Sequence, residues 1–273
     1  MKTLQGRVAV ITGAGSGIGR ATALALATKG CHLALSDINP DTLGETLQMV
    51  QAYGVRVHSQ VLDVADKQAM QDYADGVATA MGQIHIVINN AGITVAATVE
   101  EHTIEDYEWL MGINFWGVVY GTKFFLPHLQ EADEAHIVNI SSVFGLISVP
   151  NQSAYNASKF AVRGFTESLK QELHGSHIGV SCVHPGGIKT NIVTSSRFKS
   201  MPAGKSHSAT AARFEKVATT TAEKAANVII KGIQKKQERI LIGADASFID
   251  LLARTMPKRY PRVIRMMLKP LGL

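Results

Sequence analysis

A short apolar run, Val8-Ala-Val-Ile11, ends in Thr12-Gly-Ala-Gly-Ser-Gly-Ile-Gly19 and passes at once into a helical pattern from about Ile18 to Lys29. The apolar run reads as a strand buried on both faces. The glycines let the backbone come close to a pyrophosphate, and the helix N-terminus offers that anion free N–H groups and a favourable dipole. A lone glycine triplet is a weak signal. Set between a strand and a helix near the N-terminus it is a strong one, and the alternative is a tight turn with no ligand. Gly13, Gly15, Ser16, Gly17, Ile18 and Gly19 are therefore candidate dinucleotide contacts.

The alternation continues along the chain. Strand patterns at His32 to Ser36, Val55 to Leu62, Ile84 to Ile88, Ala135 to Ile140, Ile178 to Val183 and Arg239 to Ile242 are separated by helical ones. The helices are read at Asp41 to Tyr53, Lys67 to Met81, Ile104 to Leu129, Ser153 to His174 and Thr221 to Lys235, several of them stopped by glycine. Such alternation predicts an α/β fold: a parallel, doubly wound sheet with its ligand at the carboxyl ends of the strands. With 273 residues and no low-complexity linker, a single domain over residues 1–243 is expected, followed by an extension over 244–273. The stretch of about 190–220 lacks a period and is long for a connection, which suggests a substrate lid.

Asp37 ends the second strand, 18 residues after Gly19. A carboxylate there can accept from both adenosine ribose hydroxyls and would repel a 2′-phosphate. Neither Ser16 nor Ile38 is a cation that could hold such a phosphate, so NAD is preferred to NADP. The alternative is that Asp37 caps the next turn. Asp63, followed by Val64 at the end of the third strand, either reaches the adenine amino group or caps the following helix. Asn89-Asn90-Ala91-Gly92 ends the fourth strand with residues small enough to pass beneath a cofactor, and a buried Asn89 would need hydrogen-bond partners of its own.

Tyr155 and Lys159 stand four apart on a helical pattern and so share a face. Moving a hydride from an alcohol requires a base for the hydroxyl proton. A free tyrosine, with a pKa of about 10, is a poor one near neutrality. An adjacent ammonium, together with a positive nicotinamide ring, would favour the phenolate. By itself the pair could be an ordinary surface contact. Ser141 and Ser142 follow the fifth strand, where a hydroxyl can donate to an oxygen gaining charge. Asn114 is a polar residue inside a long helix, which is mildly unfavourable without a specific role.

Taken together, Thr12 to Gly19, Asn89 to Gly92, Asn114, Ser142, Tyr155, Lys159 and Pro185-Gly186 resemble the ordered motifs of the short-chain dehydrogenase/reductase family over about residues 5 to 243. The resemblance implies a single Rossmann-like domain with a seven-stranded parallel sheet, a homodimer or homotetramer, and NAD or NADP as cofactor. It also implies that Tyr155 is the general acid/base, with Lys159 lowering its pKa and holding the nicotinamide ribose. Ser142 would position the substrate oxygen and Asn114 would hold a relay water. Pro185, Gly186, Ile188 and Thr190 would flank the nicotinamide carboxamide. Gly187 departs from the family pattern, where a larger residue is common.

Ile93, Val95, Val143, Phe144, Gly187 and Ile192 make an apolar candidate lining, suited to a small hydrophobic secondary alcohol or its ketone. The alternative readings are an NADP-dependent reductase of acyl, steroid-like or lipid-like carbonyls, and core packing for several of these positions. Cys31 and Cys182 form no CxxC, so neither a metal site nor a disulfide framework is expected. The formal net charge is +5, of which +4 falls in residues 244–273, so no nucleic-acid partner is expected. That tail interleaves cations with apolar residues and could pack over the body or touch an anionic membrane. With no signal-like N-terminus and no apolar run of about 18 residues, a cytoplasmic location is the expectation.

Overall fold

The computed structural model describes residues 1–190, 197–198 and 218–268. Seven strands form one sheet: β1 (Val8–Thr12), β2 (His32–Asp37), β3 (Val57–Val61), β4 (Ile86–Asn89), β5 (Ala135–Ile140), β6 (Ile178–Pro185) and β7 (Arg239–Ile242). Their spatial order is β3-β2-β1-β4-β5-β6-β7, and every neighbouring pair is parallel. The chain winds outward from β1 to β3, then returns across the sheet to β4. The crevice outside β1 and β4 is the switch point where such sheets bind ligands.

Side-chain alternation along β1 shows why both faces must be covered. Ala9 and Ile11 point into one core with Leu26 of α1 (Gly17–Ala27), Val50 of α2 (Pro40–Gln51) and Ile229 of α7 (Ala222–Gln234). Val8 and Val10 point into the other with Met70 and Val77 of α3 (Lys67–Met81), Phe125 of α5 (Gly117–Gln130) and Leu169 of α6 (Ser153–Glu172). Each fully buried Leu, Ile or Phe contributes about 1.5–3 kcal/mol, so the strands need no polar face to hold them.

The long helix expected from Ile104 to Leu129 is interrupted. It runs as α4 (Ile104–Met111), a π-turn over Gly112–Trp116, and α5. Thr103 and Asp106 form a reciprocal capping box at its start. The Gly117 N–H bonds back to the Gly112 carbonyl, which widens the turn around Asn114.

The tail folds as α8 (Ala244–Thr255) and α9 (Tyr260–Leu268). Leu252 and Ile264 pack with Ile147, Phe144 and Val149 against the segment that follows β5. Asp250 pairs with Arg239 of β7 and with Arg254, tying α8 to the sheet edge. Most of the expected lid at about 190–220, with Ile192, lies outside the described residues. Cys31 and Cys182 are buried free thiols.

Candidate active site

The glycine loop closes on itself. Gly13 (φ +64°) and Gly17 (φ +53°) take left-handed backbone, which favours glycine. A Cβ on Gly13 would lie 2.8 Å from the Ala91 Cα, and one on Gly19 would overlap the Gly13 carbonyl. Asn90 braces this turn. Its side-chain amide donates to the carbonyls of Thr12 (2.9 Å) and Gly13 (3.0 Å). The Thr12 hydroxyl accepts from the backbone N–H groups of Asn90 and Ala91. Ser16 is the N-cap of α1 but makes no side-chain cap bond, and the first turn holds no acid. The N–H groups at that terminus therefore have no anionic partner from the helix itself, and the bare glycine cradle fits a dinucleotide pyrophosphate. Ile18 packs against the core beneath the loop.

Asp37 is not the cap of α2; Asn39 is, accepting from Asp41 and Thr42. Asp37 does cap the turn before α2, accepting from the Asn39 N–H (3.0 Å), and it also accepts from the Gly15 N–H (2.7 Å), which holds its carboxylate beside the loop. Asp63 is not the cap of α3 either. Asp66 caps that helix, while Asp63 accepts from the Ala65 N–H in a local turn (2.9 Å). The Val64 side chain is buried in the core against Gly117, which leaves only its backbone for a ligand.

Asn114, Lys159 and Gly92 converge at the ends of β4 and β5. The Asn114 carboxamide accepts from the Ile93 N–H (2.8 Å) and donates to the Ile93 carbonyl (2.9 Å) and the Ser158 hydroxyl (3.1 Å). Lys159 Nζ donates to the Ile140 carbonyl (3.0 Å) and lies 5.6 Å from the centre of the Tyr155 ring. A Cβ on Gly92 would sit 3.3 Å from the Asn114 carboxamide oxygen and 3.5 Å from Lys159 Nζ, so glycine keeps this space open.

The two serines after β5 separate in role. Ser141 donates to the Lys159 carbonyl (2.8 Å), fixing α6 on the sheet. The Ser142 hydroxyl accepts from the Phe144 N–H (3.1 Å) and faces the Tyr155 phenol. Phe144 stacks edge-on against the Tyr155 ring. Ser158 was not singled out in the sequence. It is fully buried, donates to the Tyr155 carbonyl (2.8 Å) and so joins Asn114 to the turn that carries Tyr155. Its signal was its place three residues after Tyr155, on the same helix face.

The titration of the pair differs from the expectation. Burial pushes the Tyr155 phenol up to about 12, with the Ser142 hydroxyl opposing. Burial also pushes the Lys159 ammonium down to about 8. In the protein alone desolvation is the largest cause of both shifts, and Lys159 turns its Nζ to the Ile140 carbonyl. The residues of the chain hold the phenol in its proton-donating form at neutral pH.

At the end of β6, Pro185 and Gly186 lead into a short strand, Ile188–Lys189, paired with Thr220–Thr221. Ile188 is buried in the core cluster beneath the glycine loop, and Thr190 packs against Gly17. Of the apolar candidates, Val95 is fully buried core, Val143 is largely buried, and Ile93 and Phe144 are partly exposed beside Tyr155.

The fold agrees with comparison to known proteins. The short chain dehydrogenase family model matches residues 7–200, and the chain belongs to the short-chain dehydrogenase/reductase family. It is an oxidoreductase of that family. SadH of Mycobacterium tuberculosis, named as an oxidoreductase, is 48% identical over 267 residues, covering 97% of this chain and 96% of SadH. Human estradiol 17-beta-dehydrogenase 11 is 31% identical over 267 residues, covering 97% and 84%. A crystal structure of a short-chain dehydrogenase/reductase from Burkholderia phymatum in complex with NAD superposes with a TM-score of 0.85 at 32% identity, covering 96% of each chain.

Proposed function

We propose that the protein is an NAD-dependent dehydrogenase/reductase that interconverts a hydrophobic secondary alcohol and its ketone, with Tyr155 as general acid/base. The observation that carries this reading is the convergence of Tyr155, Lys159, Asn114 and Ser142 at the carboxyl ends of the central strands β4 and β5, beside the glycine loop. A bound nicotinamide dinucleotide would accept or supply the hydride. The N–H groups at Ser16 to Gly19 hold its pyrophosphate, with Gly13 and Gly15 giving the close approach. Asp37 binds the adenosine ribose hydroxyls and excludes a 2′-phosphate; Asp63 and the Val64 backbone lie at the adenine end. Asn90 braces the crevice through the Thr12 and Gly13 carbonyls, while Ala91 and Gly92 keep it open. Lys159 holds the nicotinamide ribose, and the loop from Pro185 and Gly186 to Ile188 and Thr190 flanks the carboxamide. Ser142 donates to the substrate oxygen. Tyr155 gives that oxygen a proton in reduction and takes it back in oxidation. Asn114 holds the water that refills the proton.

The apolar walls at Ile93 and Phe144 suit a neutral carbonyl compound. The likeness to estradiol 17-beta-dehydrogenase 11 supports a second reading, a steroid-like or lipid-like carbonyl as substrate. The exposed rings of Trp116 and Phe160, on neighbouring helices, support a homodimer or homotetramer. Among the described residues no helix is long and apolar enough to cross a membrane. A cytoplasmic enzyme is proposed, with peripheral membrane contact through Phe248, Leu251, Arg262 and Arg265 of the tail, exposed on its outer face. Cosedimentation with phosphatidylserine vesicles tests that contact, and binding independent of residues 244–273 would contradict it.

The test of the reaction is a titration with NAD and with NADP over a panel of secondary alcohols and ketones, followed by the absorbance of the reduced nicotinamide. Turnover with NAD and little with NADP is expected. Turnover with NADP alone would overturn the reading of Asp37 and leave the catalytic assignment standing.

A further inference from the structure

The departure at Gly187 has a partner in the C-terminal tail. The Gly187 N–H donates to Asp245 Oδ2 (2.6 Å), from the first turn of α8. The Asp245 carboxylate lies in a cradle of glycines. A Cβ on Gly186 would overlap Oδ2, and one on Gly243 (φ +102°) would overlap Oδ1. A Cβ on Gly187 would stand 3.2 Å from the Ala218 Cα. Among the described residues the other hydrogen bonds of this loop are backbone ones: Gly186 N–H to the Ile242 carbonyl (2.9 Å) and the parallel pairing of Ile188–Lys189 with Thr220–Thr221. Its far end, Thr190, rests on Gly17 of the glycine loop. One side chain from the tail thus sets the path of the segment between the sheet and the cofactor crevice.

We propose that Asp245 is a positioning residue for the nicotinamide end of the dinucleotide site, with Gly186, Gly187 and Gly243 as the cradle that admits its carboxylate. This rests on the dinucleotide site proposed above. The carboxylate fixes the Gly187 peptide, and through it the course of the chain to Ile188 and Thr190. A bond to a charged acceptor is stronger than a neutral one, and although Asp245 is exposed to solvent, the bare Gly186 and Gly243 let its two oxygens come this close to the backbone. The tail is thereby part of the site and more than a cover for it. A role confined to helix stability, an acid in the first turn of α8, would act on the whole molecule alike.

Calorimetric binding of NADH and of ADP-ribose, which lacks the nicotinamide, separates these roles. For Asp245→Ala the expected result is an NADH dissociation constant raised about 10-fold, as for loss of one hydrogen bond to a charged group, with ADP-ribose binding within about 2-fold of wild type. Asp245→Asn, whose amide oxygen still accepts from the Gly187 N–H, should recover most of the NADH affinity. Asp245→Ser retains a polar group at the helix start but is too short to reach, and replaces the alanine variant if that fails to fold. Equal weakening of both ligands, or no change in either, would overturn the proposal. If wild-type protein binds ADP-ribose and NADH alike weakly, the dinucleotide site itself is refuted, and this inference with it.

Discussion

Lys159→Met separates what the buried ammonium does for the reaction from what it does for the fold. Lys159 is 3% exposed, and its ammonium titrates at about 8 instead of its ordinary 10.5, mainly through burial. At neutral pH that difference disfavours the folded state by about 3 kcal/mol. Methionine is of similar length and carries no charge, so the variant sheds this penalty. It also strands the Ile140 carbonyl, bonded to Nζ at 3.0 Å, at a cost of about 1–3 kcal/mol. The variant should therefore match wild type or exceed it by up to about 2 kcal/mol at pH 7, while turnover falls at least about 100-fold. The sign of the pH dependence is a second signature. Between about 8 and 10.5 the unfolded chain binds a proton that the folded lysine has lost, so wild-type stability gains relative to the variant as pH rises. Urea unfolding of both proteins at pH 7 and pH 10 reads both effects. A variant less stable by more than about 2 kcal/mol at pH 7, or a difference that ignores pH, would refute the reasoning.

Asn114→Ala removes a fully buried side chain and leaves the Ile93 N–H and carbonyl without their partner, which should cost about 2–4 kcal/mol; a loss under about 1 kcal/mol in urea unfolding would contradict the role given to Asn114 in the π-turn. Gly19→Ala drives a methyl into the Gly13 carbonyl, so the stability loss is about 1–3 kcal/mol and NADH should no longer raise the melting temperature. His136 is held neutral, its ring pushed down to about 3 by burial. Ser181 donates to the Gln237 carbonyl and so accepts from His136 Nε2, while Nδ1 has no partner among the described residues. The unfolded ring binds a proton below about 6.5 and the folded ring does not, so stability falls as pH drops from 6.5 towards 3, by about 3 kcal/mol at pH 4. His136→Gln should flatten that acid limb of the unfolding curve, and an unchanged slope would contradict it.

The parts of this fold that follow from side-chain period were readable in advance. The strands show as apolar runs because both faces are covered; Ala135–Ile140 and Arg239–Ile242 have the limits read from the sequence, and the other five differ by one or two residues at an end. The glycine loop and the Tyr155–Lys159 spacing were readable because glycine and helical spacing each carry a local geometric demand. The π-turn was not, since nothing local in the sequence shows that the Asn114 carboxamide bonds the Ile93 backbone beside it. Asp63 and Asp37 were ambiguous for the same reason: a loop carboxylate accepts from whichever N–H the turn offers. Asp245 escaped notice because its partners, Gly186 and Gly187, lie nearly sixty residues away. The opposed shifts of Tyr155 and Lys159 depend on burial, which spacing does not reveal.

Tyr155→Phe tests the central claim most directly, because it removes one oxygen and keeps the ring that packs against Phe144. Turnover of the best alcohol and ketone from the panel should fall by at least about 1000-fold, with NADH affinity within about 2-fold of wild type. A variant that keeps a tenth or more of the wild-type rate would show that another group exchanges the proton, and the account of this site would be wrong.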